Sequence, residues 1–183
     1  MCLGQSKDSP CLVRFCQCEP TSASYPKGQP ISDVIHSRKH ITSTFGWRKN
    51  PVFHIPEFHT GIDLSASLGT PIHVPIPGII EEAARKGTYG LFVKIRHSLD
   101  FETAYAHLSA FAAGVRPGVM LQPGELLGYV GSTGLSTGAH LHYEERLQGI
   151  PINPECGPPL AISIPALQPK PKAPHRVRAA RKS

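Results

Sequence analysis

Proline and glycine recur so often along this chain that they limit it to short structural elements. The 183 residues include 17 glycines and 19 prolines, about a fifth of the total, and both residue types are unfavourable inside helices. Between them lie short segments with alternating apolar and polar residues, such as residues 91–96 and 102–108. Such segments, separated by turns, are typical of antiparallel strands. We therefore predict a mostly β fold, a compact antiparallel β-sheet or sandwich, and exclude a helical bundle.

The strand-like pattern covers only the middle of the chain. Residues 1–39 have no sustained apolar period and are expected to form an irregular leader. Residues 40–157 contain the strand candidates and are expected to form one domain, which suits a chain of this length. Residues 158–183 are rich in proline and basic residues, a composition typical of disordered tails.

Positive charge is concentrated in that tail. Its last 19 residues contain six of the 19 basic residues and no acid, so the other 13 basic residues balance the 13 acidic ones. The tail is suited to contact an anionic polymer, but the neutral body argues against a specific nucleic-acid binder. No apolar run reaches the length of about 18 residues that a membrane span requires. The first residues also lack the pattern of a standard secretory signal.

Two strand candidates carry histidines at positions where side-chain direction can be predicted. In the strand over residues 102–108, strict alternation places Thr103, Tyr105 and His107 on one side and Ala104, Ala106 and Leu108 on the other. In the strand over residues 140–147, His140 and His142 share one face. Ser109 to Val115 is expected to form a helical turn.

Three histidine features suggest chemistry. They are His59 and Asp63 four positions apart, the His140-Leu141-His142 pair, and His107. Two imidazole nitrogens and one carboxylate oxygen form a suitable zinc-binding set with a fourth position open, which is typical of catalytic zinc sites. Two further histidines beside such a site would be able to move protons. The other histidines are interpreted as structural or exposed: His36, His40, His54, His73, His97 and His175.

Several motifs together resemble those of the LytM/lysostaphin-type zinc metallopeptidases, the M23 family. They are Thr42-x-x-Phe45-Gly46-Trp47-Arg48, His59-x-x-x-Asp63, Tyr105-Ala106-His107-Leu108-Ser109, the glycine-rich stretch from Gly131 to His142, and Pro151-x-Asn153-Pro154. The resemblance covers about 115 residues in the family's order. It implies that His59, Asp63 and His142 bind one Zn²⁺ ion with a bound water, and that His107 and His140 form the catalytic pair.

The resemblance also implies a function. Family members cleave the peptide part of bacterial peptidoglycan, so a zinc-dependent endopeptidase that acts in the periplasm or after secretion is expected, as a monomer. Members that cut polyglycine carry a tyrosine shortly before the first metal-binding histidine, but residues 44–58 contain none. Cleavage of D-alanyl to diaminopimelyl cross-links is therefore expected. The alternative is a non-catalytic LytM-like activator of a cell-wall amidase, although such degenerate members lack histidines that this chain retains.

The cysteines are unevenly distributed. Four lie in the first 18 residues, at positions 2, 11, 16 and 18, and Cys156 stands apart. Their spacing matches no usual zinc motif, and an odd count leaves at least one thiol unpaired. One hypothesis is that Cys11, Cys16 or Cys18 binds the open zinc position and inhibits the enzyme until the leader is removed.

Overall fold

The computed structural model of the protein describes Val34 and residues 41–156. The expected leader and basic tail therefore lie almost entirely outside the described residues, as do the leader cysteines and the inhibitory role suggested for them. Thirteen strands lie within the described part of the chain. They are β1 (Ile41–Ser43), β2 (Gly46–Lys49), β3 (Pro56–His59), β4 (Ile62–Ser65), β5 (Pro71–His73), β6 (Gly78–Lys86), β7 (Gly90–Arg96), β8 (Phe101–Leu108), β9 (Ala110–Phe111), β10 (Met120–Leu121), β11 (Leu126–Tyr129), β12 (His140–Leu147) and β13 (Ile150–Ile152).

The strands form one large sheet, one small sheet and a separate hairpin. The large sheet has the order β1-β4-β12-β8-β7-β6-β10, and β13 pairs with β12. The small sheet has the order β5-β11-β9, and β2 pairs with β3. Every described pairing is antiparallel. The prediction of a mostly β, antiparallel fold is confirmed.

The main apolar core is built by residues of both sheets. Alternation along the strands of the large sheet turns one set of side chains toward this core, where apolar burial stabilises the fold. The small sheet and its flanking residues contribute from the other side. Buried members include Ile62, Leu64, Ile72, Val93, Ile95, Tyr105, Leu108, Leu127, Val130, Leu141 and Tyr143.

The opposite face of the large sheet carries the histidines. Because side chains two apart on a strand point the same way, Leu141 and Tyr143 enter the core while His140 and His142 project from the other face. A small second apolar cluster of Phe92, Ala104 and Ala106 lies on neighbouring strands. The prediction that the two histidines of β12 share a face is confirmed.

Some local predictions differ from the structure. The helical turn expected over residues 109–115 is wrong, because Ala110 and Phe111 form strand β9, which pairs with β11. Strand β4 was not predicted, although Ile62, Asp63, Leu64 and Ser65 alternate between apolar and polar residues, because the segment is only four residues long. A one-turn 3-10 helix spans Gly87–Tyr89. None of the described residues forms a helix long and apolar enough to cross a membrane.

Candidate metal centre

The spacing of His59 and Asp63 follows from how two strands connect. His59 ends β3, and Asp63 lies in β4 directly opposite His142 of β12. The connection passes so close to β12 that a Cβ atom at Gly61 would lie 2.2 Å from the Tyr143 carbonyl oxygen. Only glycine permits this approach without displacement. The short turn therefore brings both side chains to the same point beside His142.

Three donor atoms converge at this point. The distance from His59 Nε2 to Asp63 Oδ1 is 3.1 Å, and His142 Nδ1 lies 3.0 Å from each of those two atoms. In a tetrahedral site, zinc bonds of about 2.0–2.1 Å separate the donor atoms by about 3.3 Å. All three residues are buried. The donor set and its spacing therefore fit a zinc ion.

Each of the three side chains is held by its remaining polar atom. His59 Nδ1 donates to the Thr44 carbonyl oxygen at 2.8 Å. Arg48 Nη1 donates to Asp63 Oδ2 at 2.8 Å. His142 Nε2 donates to Glu144 Oε1 at 3.0 Å. Partners of this kind orient metal-binding side chains and select the histidine tautomer.

Electrostatics at the cluster favour an ionised aspartate. Burial raises the pKa of Asp63, but hydrogen bonds and attraction from His142 and His59 outweigh burial and hold that pKa well below its usual range. Burial lowers the pKa of His142, whereas its contacts with Asp63 and Glu144 raise it above the usual value. The negative charge of Asp63 is thus available to a cation.

His107 and His140 lie beside the three-residue cluster. Their ring centroids are 4.7 Å apart, and the His107 ring lies 5.9 Å from that of His142. His107 Nδ1 donates to the Thr133 carbonyl oxygen at 2.8 Å, and His140 Nδ1 donates to that of Gly138 at 2.9 Å. The Nε2 atoms of both rings therefore carry free electron pairs. Burial lowers the pKa of His107 to about 4, so its ring is neutral at pH 7.

A β-bulge, which strict alternation did not predict, places His107 in the site. Leu91 pairs with Leu108 but Val93 pairs with Tyr105, so β8 has one extra residue opposite Phe92. His107 has a φ of 60°, which bends the strand there. The expectation that His107 shares a side with Thr103 and Tyr105 is therefore wrong. The bulge turns His107 toward the face of His140 and His142 instead, as bulges near active sites commonly do.

The glycine-rich loop between β11 and β12 forms one wall of the site. Gly90 and Gly134 have positive φ angles, and a Cβ atom on either would collide with backbone atoms of the other segment. Leu135 N donates to the Thr88 carbonyl oxygen at 2.8 Å across this contact. The glycines thus allow the loop to pack against the 3-10 turn and to present Thr133 to His107.

A groove of about 310 Å³ contains all five predicted site residues. Its other lining residues include Arg48, Phe58, Tyr89, Leu135 and Ser136. Tyr89 and Glu144 were not predicted as site residues from the sequence. Tyr89 comes from the distant 3-10 turn, and its hydroxyl donates to Glu144 Oε1 at 2.9 Å. Glu144 could have been noticed because it follows His142 by two positions on the same strand face.

The remaining histidines differ in environment. His97 is fully buried, with Nδ1 2.7 Å from the Pro77 carbonyl oxygen and Nε2 2.7 Å from Thr103 Oγ1. His54 is exposed in the hairpin between β2 and β3. Both agree with the interpretation of these residues as structural or exposed. His36, His40 and His175 lie outside the described residues.

A buried His–Asp–His cluster with two more histidines in an open groove is the kind of site found in metal-dependent hydrolases. A family model described as "Peptidase family M23" matches residues 57–154, more than half of the chain. The protein therefore belongs to peptidase family M23, and the resemblance noted in the sequence is confirmed.

Two curated relatives show extended sequence similarity. The "DD-carboxypeptidase/endopeptidase Mpg" of Neisseria meningitidis serogroup B is 44% identical over 146 residues, which cover 80% of this chain and 32% of that protein. The "Peptidoglycan DD-endopeptidase ShyA" of Vibrio cholerae is 33% identical over 133 residues, which cover 72% of this chain and 30% of that protein. The chain thus spans about a third of the length of these relatives.

Two crystal structures share the fold. A zinc-containing peptidase from Vibrio cholerae matches with a TM-score of 0.57 at 25% identity, over 70% of this chain and 39% of that one. The catalytic domain of the antimicrobial peptidase lysostaphin from Staphylococcus simulans matches with a TM-score of 0.55 at 25% identity, over 61% of this chain and 86% of that one. The expected fold type is therefore confirmed.

Proposed function

We propose that this protein is a zinc-dependent endopeptidase that hydrolyses peptide bonds in bacterial peptidoglycan. His59, Asp63 and His142 bind one zinc ion, and His107 and His140 are the catalytic residues. The observation that carries the proposal is the convergence of three buried donor atoms at 3.0–3.1 Å from one another. A chain of this family with that donor set is suited to hold a catalytic zinc ion.

The proposed roles of His107 and His140 follow from which of their ring nitrogens can accept a proton. When bound, zinc supplies a Lewis acid that polarises a carbonyl group and lowers the pKa of water to about 7. His107 and His140 line the groove and both donate through Nδ1 to backbone carbonyl groups, so their Nε2 atoms can act as proton acceptors. One of them takes a proton from the attacking water, and the pair returns a proton to the leaving amine. His140 Nε2 lies 3.7 Å from Asp63 Oδ1, next to the proposed zinc ligands.

The proposed substrate is a D,D cross-link between peptidoglycan peptides. The relatives named as DD-endopeptidases support this choice, and residues 44–58 lack the tyrosine of the polyglycine-cutting members. Tyr89 does line the groove, but its hydroxyl is engaged as a donor to Glu144. Such a substrate places the activity in the cell envelope.

Zinc content and cleavage of cross-linked muropeptides, measured on the same samples, test this proposal. His142→Ala should remove zinc and activity together. His107→Ala or His140→Ala should keep most of the zinc but slow turnover about 100-fold or more, as expected for lost proton transfer. A matched control is His54→Asn, since His54 is exposed and asparagine tolerates its φ of 58°. Loss of all zinc from the His140 variant with retention in the His142 variant would reverse the assignment.

The same assay distinguishes this enzyme from the alternative, a non-catalytic activator of a cell-wall amidase. Degenerate family members that activate a cell-wall amidase would neither take up zinc nor cleave muropeptides. A wild-type protein that is free of zinc, inactive alone and able to stimulate an amidase would therefore overturn the proposal. Mass spectrometry of the products should show cleavage between D-alanine and diaminopimelate, with a pentaglycine peptide left intact.

A further inference from the structure

Glu144 is a buried carboxylate with an unusual concentration of partners. Its relative exposure is 0%, although burial of an isolated charge is costly. Oε1 accepts hydrogen bonds from His142 Nε2 at 3.0 Å, from the Tyr89 hydroxyl at 2.9 Å and from Thr60 Oγ1. Oε2 accepts from Arg146 Nε at 2.7 Å, and Arg146 Nη2 lies 2.6 Å away. These contacts compensate the charge and fix the position of the carboxylate.

The contact with His142 determines which ring nitrogen faces the cluster. A carboxylate oxygen at Nε2 requires the proton on that atom, which leaves the electron pair on Nδ1. Nδ1 is the atom that lies 3.0 Å from both His59 Nε2 and Asp63 Oδ1. Without Glu144, the His142 ring is free to adopt the other tautomer or to rotate.

The partners of Glu144 come from three parts of the site. Thr60 lies in the connection between β3 and β4, Tyr89 lies in the 3-10 turn, and Arg146 lies further along β12. The Tyr89 ring also packs 5.8 Å from the ring of His142. Glu144 therefore ties the His142 ring to the turn that carries His59 and Asp63 and to the groove wall.

We propose that Glu144 is a positioning residue that holds His142 with Nδ1 directed at the zinc ligands. This inference rests on the proposed function, because it concerns how tightly the same site binds zinc. It assigns to Glu144 no contact with the substrate. Residues that support metal-binding histidines in this way typically change metal affinity 10- to 100-fold when they are replaced.

The adjacent residue provides a matched control. Glu145 is also buried, at 3% exposure, but its Oε1 accepts from the Tyr143 hydroxyl at 3.2 Å on the core side of the sheet. Replacing either glutamate by glutamine changes the same atoms at neighbouring positions of one strand. Only Glu144→Gln alters a contact with His142.

The experiment measures zinc affinity by competition with a chromogenic chelator for wild type, Glu144→Gln and Glu145→Gln. Metal-free melting temperatures are measured alongside to follow folding. We expect Glu144→Gln to weaken zinc affinity by about 10- to 100-fold, with Glu145→Gln within about twofold of wild type. Equal affinities for the two variants would overturn the inference. A wild-type protein that binds no zinc would instead overturn the proposed function.

A second measurement needs no substitution and covers the case in which Glu144→Gln fails to fold. Nitrogen-15 chemical shifts of the imidazole rings in the zinc-loaded wild type report which nitrogen carries the proton. We expect a protonated Nε2 and a metal-bound Nδ1 at His142. Zinc bound through Nε2 would contradict the role of Glu144 directly, whatever the variant does.

Discussion

Glu144 and Glu145 show how one strand gives the same residue type opposite environments. Burial raises the pKa of both, but the His142 hydrogen bond and attraction, with Thr60 and Arg146, bring the pKa of Glu144 to about 2. For Glu145 burial dominates, and the bond from Tyr143 offsets it only in part, so its pKa rises to about 8. Among the described residues Glu145 Oε2 has no hydrogen-bond partner. Glu144 is ionised and Glu145 is protonated at pH 7.

The raised pKa of Glu145 predicts a loss of stability in mildly alkaline solution. The native state keeps the proton up to about pH 8, whereas the unfolded glutamate releases it near 4.5. The contribution of Glu145 to the free energy of unfolding is therefore complete below pH 4.5 and disappears as the pH rises through about 8. Glu145 accepts a hydrogen bond from Tyr143 and interacts electrostatically with Tyr105, whose pKa is raised by burial.

Urea unfolding of the metal-free protein at pH 7 and pH 9 tests this prediction. The free energy of unfolding of the wild type should fall by an amount on the order of 1 kcal/mol or more, since one pKa unit corresponds to about 1.4 kcal/mol. The side chain introduced by Glu145→Gln cannot ionise, so the free energy of unfolding of this variant should fall less than that of the wild type. His97 and His107 have lowered pKa values, so their contributions change only below about pH 6.5. The same pH dependence in both proteins would contradict the assignment.

At the scale of elements, two local deviations from regular strands assemble the site. The β3–β4 connection brings Asp63 opposite His142 because Gly61 lets it approach β12. The bulge in β8 turns His107 out of the core face of its strand. The wall formed by the glycine-rich loop then supplies the carbonyl group that orients the His107 ring. The positions of Asp63 and His107 in the site therefore depend on irregular backbone geometry, not on strand periodicity alone.

Gly61→Ala tests the role of the connection. An added Cβ atom 2.2 Å from the Tyr143 carbonyl oxygen must displace β4 from β12. We expect a destabilisation of about 1–3 kcal/mol, as for overpacked sites, together with weaker zinc binding because Asp63 moves with its strand. Calorimetry and zinc titration measure the two effects.

Gly138→Ala is the control for this substitution. A Cβ atom there meets no atom within 4 Å, and Gly138 has no positive φ angle. It should leave both stability and zinc affinity close to the wild-type values. If Gly61→Ala behaves like Gly138→Ala, close approach to β12 is not what requires glycine.

At the scale of the whole molecule, Cys156 is disulfide-bonded. The other cysteines of the sequence are Cys2, Cys11, Cys16 and Cys18. A disulfide agrees with the proposed envelope location, because such bonds persist mainly in oxidising compartments. A leader thiol used in this bond would also not be free to bind zinc, which bears on the inhibitory hypothesis.

Peptide mapping without reduction tests the long-range connection. We expect Cys156 to be linked to a peptide from the first 18 residues. Reduction with a phosphine, or Cys156→Ser, should lower stability by about 2–4 kcal/mol, the usual range for a disulfide. Ser67→Ala, which changes an exposed residue and leaves all cysteines in place, is a control for substitution at a polar residue. Recovery of Cys156 as a free, alkylated thiol from protein kept under air would contradict the prediction.

Features that depend on neighbours along the chain could be predicted from the amino-acid sequence. Frequent glycine and proline excluded long helices, and the two-residue period of a strand placed His140 and His142 on one face. The family resemblance selected the same five residues that the groove brings together. Their roles as ligands and catalysts stay predictions, as do the domain limits at residues 40 and 157.

Features that depend on contacts between distant segments became visible only in the folded protein. The bulge at His107, the approach of Gly61 to β12, and the meeting of Tyr89, Thr60 and Arg146 at Glu144 arise when strands pair and loops pack. Each of these three features has a local cost in backbone strain or burial, which is offset by contacts between residues far apart in the chain. A local sequence pattern does not reveal those contacts, because strand register and loop packing are set by the fold as a whole.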